Sequence, residues 1–373
     1  MDFSLRRDHF SQALRLLQQT SDSKVAVPIL GAVKIDAEED SVRLSSTNMD
    51  HFTTLRVKAR VTTPGSCAVH LRRLTPIIAE MPELDLKCAL TGNNVMRLSS
   101  GGSLFRLNTL PVPDFPKIPE LGSGGSVVIE EQVLLRQMRQ VVYARSKDSA
   151  RYQICGACFD IVGSKFTLVA TDGRRMAMST APLDSNGVHV KLNVVDDMIS
   201  IMSGFLQKDG KRPVRLSWDN ARFSVAFLDN DESTGLVGEV LCVGRLYESP
   251  FPDYRRIVPA DMGVPFLAER QLLLDTLHRA SLATNDKHNA VKLTIADTAL
   301  SIHAESPDFG QAHETMQVEG TGNVTISFNP TFLLDILRAL AQDKITLFLR
   351  DAGSPVVVKA GDDFLGIVMP VRL

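Results

Sequence analysis

No uncharged apolar run in these 373 residues approaches the length needed to cross a bilayer, which sets a membrane-spanning role aside. The opening Met1-Asp2-Phe3-Ser4-Leu5-Arg6-Arg7 lacks the basic-then-apolar order of a secretory signal, so the chain reads as cytoplasmic. Cysteine is scarce and odd in number. The five residues, Cys67, Cys88, Cys155, Cys158 and Cys242, form no disulfide framework and fit reduced, mostly buried thiols. An excess of either charge is also missing: the net charge is −2, so nothing global announces nucleic acid, and any basic surface must be local.

Catalytic signatures are equally thin. Cys155-Gly156-Ala157-Cys158 matches C-x-x-C, but it lies in a strand-patterned run where positions three apart face opposite ways, and no second Cys/His pair stands at ligand spacing. Ser21-Asp22-Ser23-Lys24 matches S-x-x-K without that class's companion motifs. The histidines form no H-E-x-x-H, and there is no G-x-S-x-G, Walker loop or dinucleotide fingerprint. Asp229, Asp231 and Glu232 read as a solvated turn. No metal or cofactor is expected.

What is present is repetition. Apolar residues make up 44% and charged residues 23%, ordinary values for a globular chain of two or three domains. Helix-patterned segments start near Asp8, Glu130 and Glu269, and each is followed at nearly the same offset by another, near His70, Leu192 and Asn329. Between them lie hairpin-patterned runs: 31–36 with 41–45 around Glu38-Glu39-Asp40, 156–161 with 166–171 around Gly163-Ser164, and 290–295 with 299–302 around Ala296-Asp297-Thr298. The class is α+β with antiparallel sheets, in three blocks. Breaker-rich stretches at 111–125 and 250–263 mark the joints, giving 1–122, 123–259 and 260–373.

The helical segments carry Arg7, Arg15, Arg72, Arg73, Arg136, Arg139, Arg145, Arg270, Arg279, Arg338 and Lys344, with Lys24, Lys147 and Arg151 just beyond their ends, while many hairpin turns are acidic. Helices facing one way would make one face basic, as sequence-independent phosphate tracking requires; solubility alone also accounts for such charges. From the residues alone, an open array of three binding domains and an acyl hydrolase using Ser21 and Lys24 stand beside that reading.

Several ordered motifs narrow the choice. Val169-Ala170-Thr171-Asp172-Gly173-Arg174-Arg175-Met176-Ala177, Phe251-Pro252-Asp253-Tyr254-Arg255-Arg256 and the terminal Val368-Met369-Pro370-Val371-Arg372-Leu373 closely resemble the bacterial DNA polymerase III beta subunits, the sliding-clamp family. Val27-Pro28-Ile29-Leu30-Gly31, Thr109-Leu110-Pro111, Asp114-Phe115-Pro116, Thr284-Asn285-Asp286-Lys287 and Phe328-Asn329-Pro330 extend the resemblance over the whole length.

The resemblance implies three tandem clamp domains, each with two helices packed on antiparallel sheets, and a head-to-tail homodimer closing into a ring around double-stranded DNA. It implies a non-catalytic processivity subunit that tethers DNA polymerase III alpha, other polymerases, an ATP-dependent clamp loader and repair proteins. Lys24, Arg72, Arg73, Arg136, Asp148, Tyr152 and Gln153 would face DNA. A pocket between the middle and last domains would take partner peptides. Its matching residues are Ile154, Thr171, Gly173, Arg174, Arg175, Met176, Pro252, Arg256, Ile257, Pro355, Ile367, Met369, Pro370, Val371 and Arg372, with Arg175 and Arg372 meeting the peptide's polar groups. Arg73, Ile77, Met81, Phe105 and Leu107 would meet Leu282 of another copy. Arg174 departs from the family's usual His, and Arg245 to Pro250 is longer than the usual connection.

Overall fold

The computed structural model describes residues 1–21, 27–92, 94–185, 187–228, 234–285 and 289–371. Contacts divide the chain into two units, Met1–Leu135 with Val194–Glu248 and Arg136–Asn193 with Ser249–Leu373. The division runs through the middle block, whose hairpin lies in the second unit and whose second helix lies in the first.

The first unit holds two antiparallel sheets. In spatial order the five-stranded sheet runs Arg60–Thr63, Asp2–Arg6, Asp85–Thr91, Val95–Ser100 and Ser103–Asn108. The eight-stranded sheet runs Gly125–Glu130, Pro213–Trp218, Arg222–Phe227, Val240–Arg245, His51–Lys58, Ser41–Thr47, Ala32–Glu38 and Gly65–His70. It is stitched across blocks where Val243 pairs with Phe52.

The second unit holds one ten-stranded sheet: His189–Val194, Ala157–Val162, Lys165–Thr171, Arg175–Pro182, Phe364–Val368, Val356–Ala360, Lys344–Leu349, Val264–Glu269, Gly310–Phe328 and Val291–Ser306. Here the stitch between blocks is Arg175–Pro182 against Phe364–Val368.

Among the described residues six α-helices cover these sheets: α1 Arg7–Leu17, α2 Leu71–Ala79, α3 Glu131–Val141, α4 Asp196–Phe205, α5 Arg270–Ser281 and α6 Pro330–Ala339. In α1, Phe10, Ala13, Leu14 and Leu17 are buried at helical spacing, and Arg15 in the last turn suits the carbonyl end of the helix. α6 starts where Asn329 accepts the Thr331 N–H at 2.9 Å and Pro330 presets the first turn. The segment expected as helix from Leu192 continues as strand to Val194. α4 begins at Asp196, where Asp196 and Asp197 place carboxylates in the first turn.

Each anticipated hairpin turns on one residue in the left-handed region: Glu39 (φ 47°), Gly163 (φ 58°) and Asp297 (φ 54°). The third reversal lies inside the extended run Val291–Ser306. Ser301 Oγ donates to the Thr294 carbonyl at 3.3 Å, a contact an unbroken strand forbids because seven residues would span about 23 Å.

His51 is 3% exposed, opposite Gly244, where an added Cβ would press into the imidazole. Neither ring nitrogen has a hydrogen-bond partner among the described residues. Burial pushes its pKa down, against the upward pull of Asp197, Asp50 and Asp196 and with a small downward push from Arg245. The folded state therefore holds His51 neutral, and the unfolded chain takes up the proton first. Stability is expected to be full above the ordinary histidine value of 6.5 and to fall below it, by at most about 1.4 kcal/mol per pH unit. Urea unfolding at pH 5.5 and 7.5 checks this, because His51→Leu removes that part of the difference.

Candidate functional site

In the second unit, antiparallel pairing sets Arg175 opposite Val368 and Met176 opposite Ile367. Met176 and Ile367 join Ile154, Cys158, Val169, Phe251, Tyr254, Val357 and Leu365 in a buried cluster. Ile154, Thr171, Met176 and Ile367, expected to meet a peptide, are each 9% exposed or less, so they form a floor rather than a contact surface. The open surface flanks that cluster. Ile257 is 38% exposed, Met369 40% and Val371 40%, with Pro252, Gly173, Arg174 and Arg256 exposed and Pro355 and Pro370 half-buried. Exposed apolar residues beside a sealed apolar floor offer an adaptable seat for a short apolar chain. Backbone bonds hold one side of it: Met369 N–H to the Arg174 carbonyl at 2.9 Å and Val371 N–H to the Ser327 carbonyl at 2.8 Å.

The turn 171–175 is built by its own side chains. Thr171 Oγ1 donates to the Arg175 carbonyl at 2.6 Å and accepts the Gly173 N–H at 3.0 Å, while Asp172 Oδ1 accepts the N–H groups of Arg174 and Arg175. Gly173 sits at φ 84°, where side chains are disfavoured.

Arg175 was expected to reach outward, and the structure turns it inward. Its guanidinium donates to Asp172 Oδ2 (3.1 Å), Asp335 Oδ2 (2.6 Å) and the Tyr143 carbonyl (2.7 Å), and its carbon lies 5.4 Å from the centre of the Tyr143 ring and 4.9 Å from that of Phe332. Those donors are committed, so Arg175 positions the turn instead of greeting a ligand. Burial pushes the Tyr143 phenol up, partly offset by the Arg175 charge.

The segment 148–154 abuts the same turn. Asp148 Oδ1 accepts the Ala150 N–H, and its other oxygen takes Arg151 Nε at 3.2 Å. Arg151 NH1 donates to the Asp172 carbonyl at 3.1 Å, beside Gly173. Asp148, expected to touch DNA, thus organises its segment, and an anion makes no favourable phosphate contact. Tyr152 is 45% exposed with its hydroxyl 2.8 Å from Ser249 Oγ, and Gln153 is exposed with its carbonyl held by Asn193 Nδ2.

The other expected residues lie elsewhere. Arg72 and Arg73 are exposed on α2, and Arg136 is exposed on α3 with Asp363 Oδ2 at 3.6 Å. Lys24 and Arg372 lie outside the described residues, as do Asp229, Asp231 and Glu232. Phe105, 41% exposed, and half-buried Leu107 sit on Ser103–Asn108, the outermost strand of its sheet. Ile77 is half-buried and Leu282 is 67% exposed at the end of α5. Met81, 1% exposed, packs inside its own unit and cannot meet a partner. Cys158 is buried, its thiol pushed up to about 12 by burial, and Cys155 sits in the turn before the strand rather than in it.

Sequence reasoning missed Asp335, Phe332, Tyr143 and Arg151 as parts of the site. Asp335 and Phe332 looked like ordinary members of an amphipathic helix; only the pairing of distant strands brings them to Arg175.

A family model described as DNA polymerase III beta subunit, N-terminal domain, matches residues 1–119, and that for the C-terminal domain matches residues 255–372. The beta sliding clamp of Chlamydia muridarum is 26% identical over 379 residues, covering 100% of this chain and 99% of its own, and that of Escherichia coli K12 is 27% identical over 382, covering 100% of each. Among solved structures, the DNA polymerase III subunit beta from Pseudomonas aeruginosa aligns with TM-score 0.91 at 25% identity over 100% of both chains. The sliding clamp from Bartonella birtlesii, bound to griselimycin, aligns with TM-score 0.91 at 27% identity over 100% of both chains. Among the described residues no helix is long and apolar enough to cross a membrane.

Proposed function

The chain belongs to the DNA polymerase III beta-subunit family, the beta sliding clamps, and from that premise we propose that it tethers a replicative polymerase to duplex DNA by encircling it. The family is a non-catalytic processivity subunit, so ATP chemistry falls to a separate loader. The ring is inferred from the family: three clamp domains, 1–122, 123–259 and 260–373, in each of two head-to-tail copies. The family models ending at 119 and starting at 255 support those boundaries. Phe105 and Leu107 on an open sheet edge, and exposed Leu282 at the end of α5, suit closure between unlike surfaces of two copies. DNA contact would fall to Lys24, Arg72, Arg73, Arg136, Tyr152 and Gln153, weak and sequence-independent so that the ring slides. The working compartment is the cytoplasm.

Polymerases, the clamp loader and repair proteins would dock short, partly apolar peptides at Ile257, Met369 and Val371, with Pro252, Pro355, Pro370, Arg174 and Arg256 around them. The observation that carries this is the exposed apolar surface beside a sealed floor, in a chain matched end to end by beta clamps, one of them bound to griselimycin. Calorimetric titration with griselimycin tests it. Met369→Asp is expected to weaken binding at least ~10-fold, because a carboxylate would be desolvated, while closed rings persist in negative-stain class averages. Undiminished affinity in that variant would remove the pocket assignment; arcs without rings at high concentration would remove the ring.

A further inference from the structure

A cavity of about 720 Å³ opens on the five-stranded sheet of the first unit, lined by none of the residues assigned above. That volume is in the range of small-molecule sites. One row of cross-strand neighbours lines it: Arg60 opposite Ser4, Ser4 opposite Lys87, and Lys87 opposite Ser99. Directly paired residues share a face, so two cations stand about 10 Å apart with a hydroxyl between them and a second hydroxyl beyond. Neither Arg60 nor Lys87 has a carboxylate partner among the described residues.

The next row along the strands differs. Arg6 faces Asp85, but Arg6 is already occupied by Asp8 through two bonds, Nε to Oδ1 at 3.0 Å and NH2 to Oδ2 at 2.6 Å. Asp85 therefore keeps acceptor capacity toward the cavity. Glu83 lies beside it over Gly101, which has φ 53° and no side chain to fill the space.

We propose that this cavity binds a nucleoside 5′-phosphate, its phosphates across Arg60, Ser4, Lys87 and Ser99 and its ribose hydroxyls on Asp85 and Glu83. Unpaired cations with interleaved hydroxyls match phosphate oxygens, and carboxylates that only accept match vicinal hydroxyls. The residues come from separate strands, so no glycine-rich linear motif accompanies them.

The test is calorimetric titration of the full chain with ATP and, separately, with inorganic pyrophosphate. One ATP per chain is expected, with a Kd below ~1 mM. Arg60→Ser with Lys87→Ser should weaken both ligands at least ~10-fold. Asp85→Asn should weaken ATP and leave pyrophosphate undiminished. No ATP binding at several millimolar, wild-type ATP affinity in the double variant, or ATP affinity unchanged by Asp85→Asn would each overturn the proposal. All three positions lie at the cavity surface, so an unchanged thermal midpoint confirms that each variant folds.

Discussion

Glu131→Ala should cost the first unit about 3–5 kcal/mol of stability, the scale on which breaking one side of a buried ion pair acts. Glu131, at the start of α3, is fully buried, and its oxygens accept from Arg212 Nε (2.9 Å) and NH2 (2.5 Å) and from the Gln207 N–H (2.8 Å). Arg212, 8% exposed, also donates to the Phe205 carbonyl at 2.7 Å and lies over the Phe227 ring. Removing the carboxylate takes the anionic partner from a guanidinium that is only 8% exposed. Burial alone would raise the Glu131 carboxyl; the bonds from Arg212 and Gln207 and the Arg212 charge outweigh it and hold the group below its ordinary value of 4.5.

By linkage, this stabilisation is present above pH 4.5 and is lost as pH falls through the lowered folded value. Glu131→Gln should be nearly as damaging, since an amide turns donors toward donors. Glu131→Leu with Arg212→Met should recover much of the loss, because the desolvation penalty goes with both charges. Urea unfolding followed by far-ultraviolet dichroism measures all three. A loss under ~1 kcal/mol in Glu131→Ala would show that the pair does not brace this unit.

That pair also marks where sequence reading stops. The helix at Glu131 was legible from its apolar spacing, and so were the hairpins at Glu39 and Gly163, because local periodicity and turn chemistry act over a few residues. Glu131 meeting Arg212 was not, since it depends on Gly125–Glu130 pairing with Pro213–Trp218, a choice made between distant strands. The helix expected from Leu192 was misplaced for a related reason. Leu192 to Val194 is apolar enough for either period, and pairing in the sheet decides for strand. At the site, the motifs around Thr171, Phe251 and Met369 named segments that the structure brings together. Which residues are floor and which are surface emerged only with the Met176–Ile367 register, and the same register turned Arg175 inward.

Arg175→Ala is therefore expected to act differently from Met369→Asp. Met369 is exposed, so its replacement changes what a ligand meets and leaves the thermal midpoint nearly unchanged. Arg175 joins the turn 171–175 to α6 through Asp335 and to the end of the preceding helical segment through Tyr143. Truncating it takes the Arg175 bond from the Tyr143 carbonyl and from Asp335, which keeps Arg338 NH1 at 3.7 Å, at a cost of roughly 2–4 kcal/mol for a pair that keeps some solvent. The Met369 N–H hangs on the Arg174 carbonyl, next to the lost anchor, and griselimycin affinity should fall at least ~10-fold along with stability. Arg175→Lys should rescue neither. An ammonium is a single point donor and cannot reach Asp172, Asp335 and Tyr143 from three separate nitrogens as the guanidinium fork does. Paired calorimetric and thermal measurements on the variants separate contact from positioning, and wild-type griselimycin affinity in Arg175→Ala would mean that the turn holds its shape without the fork.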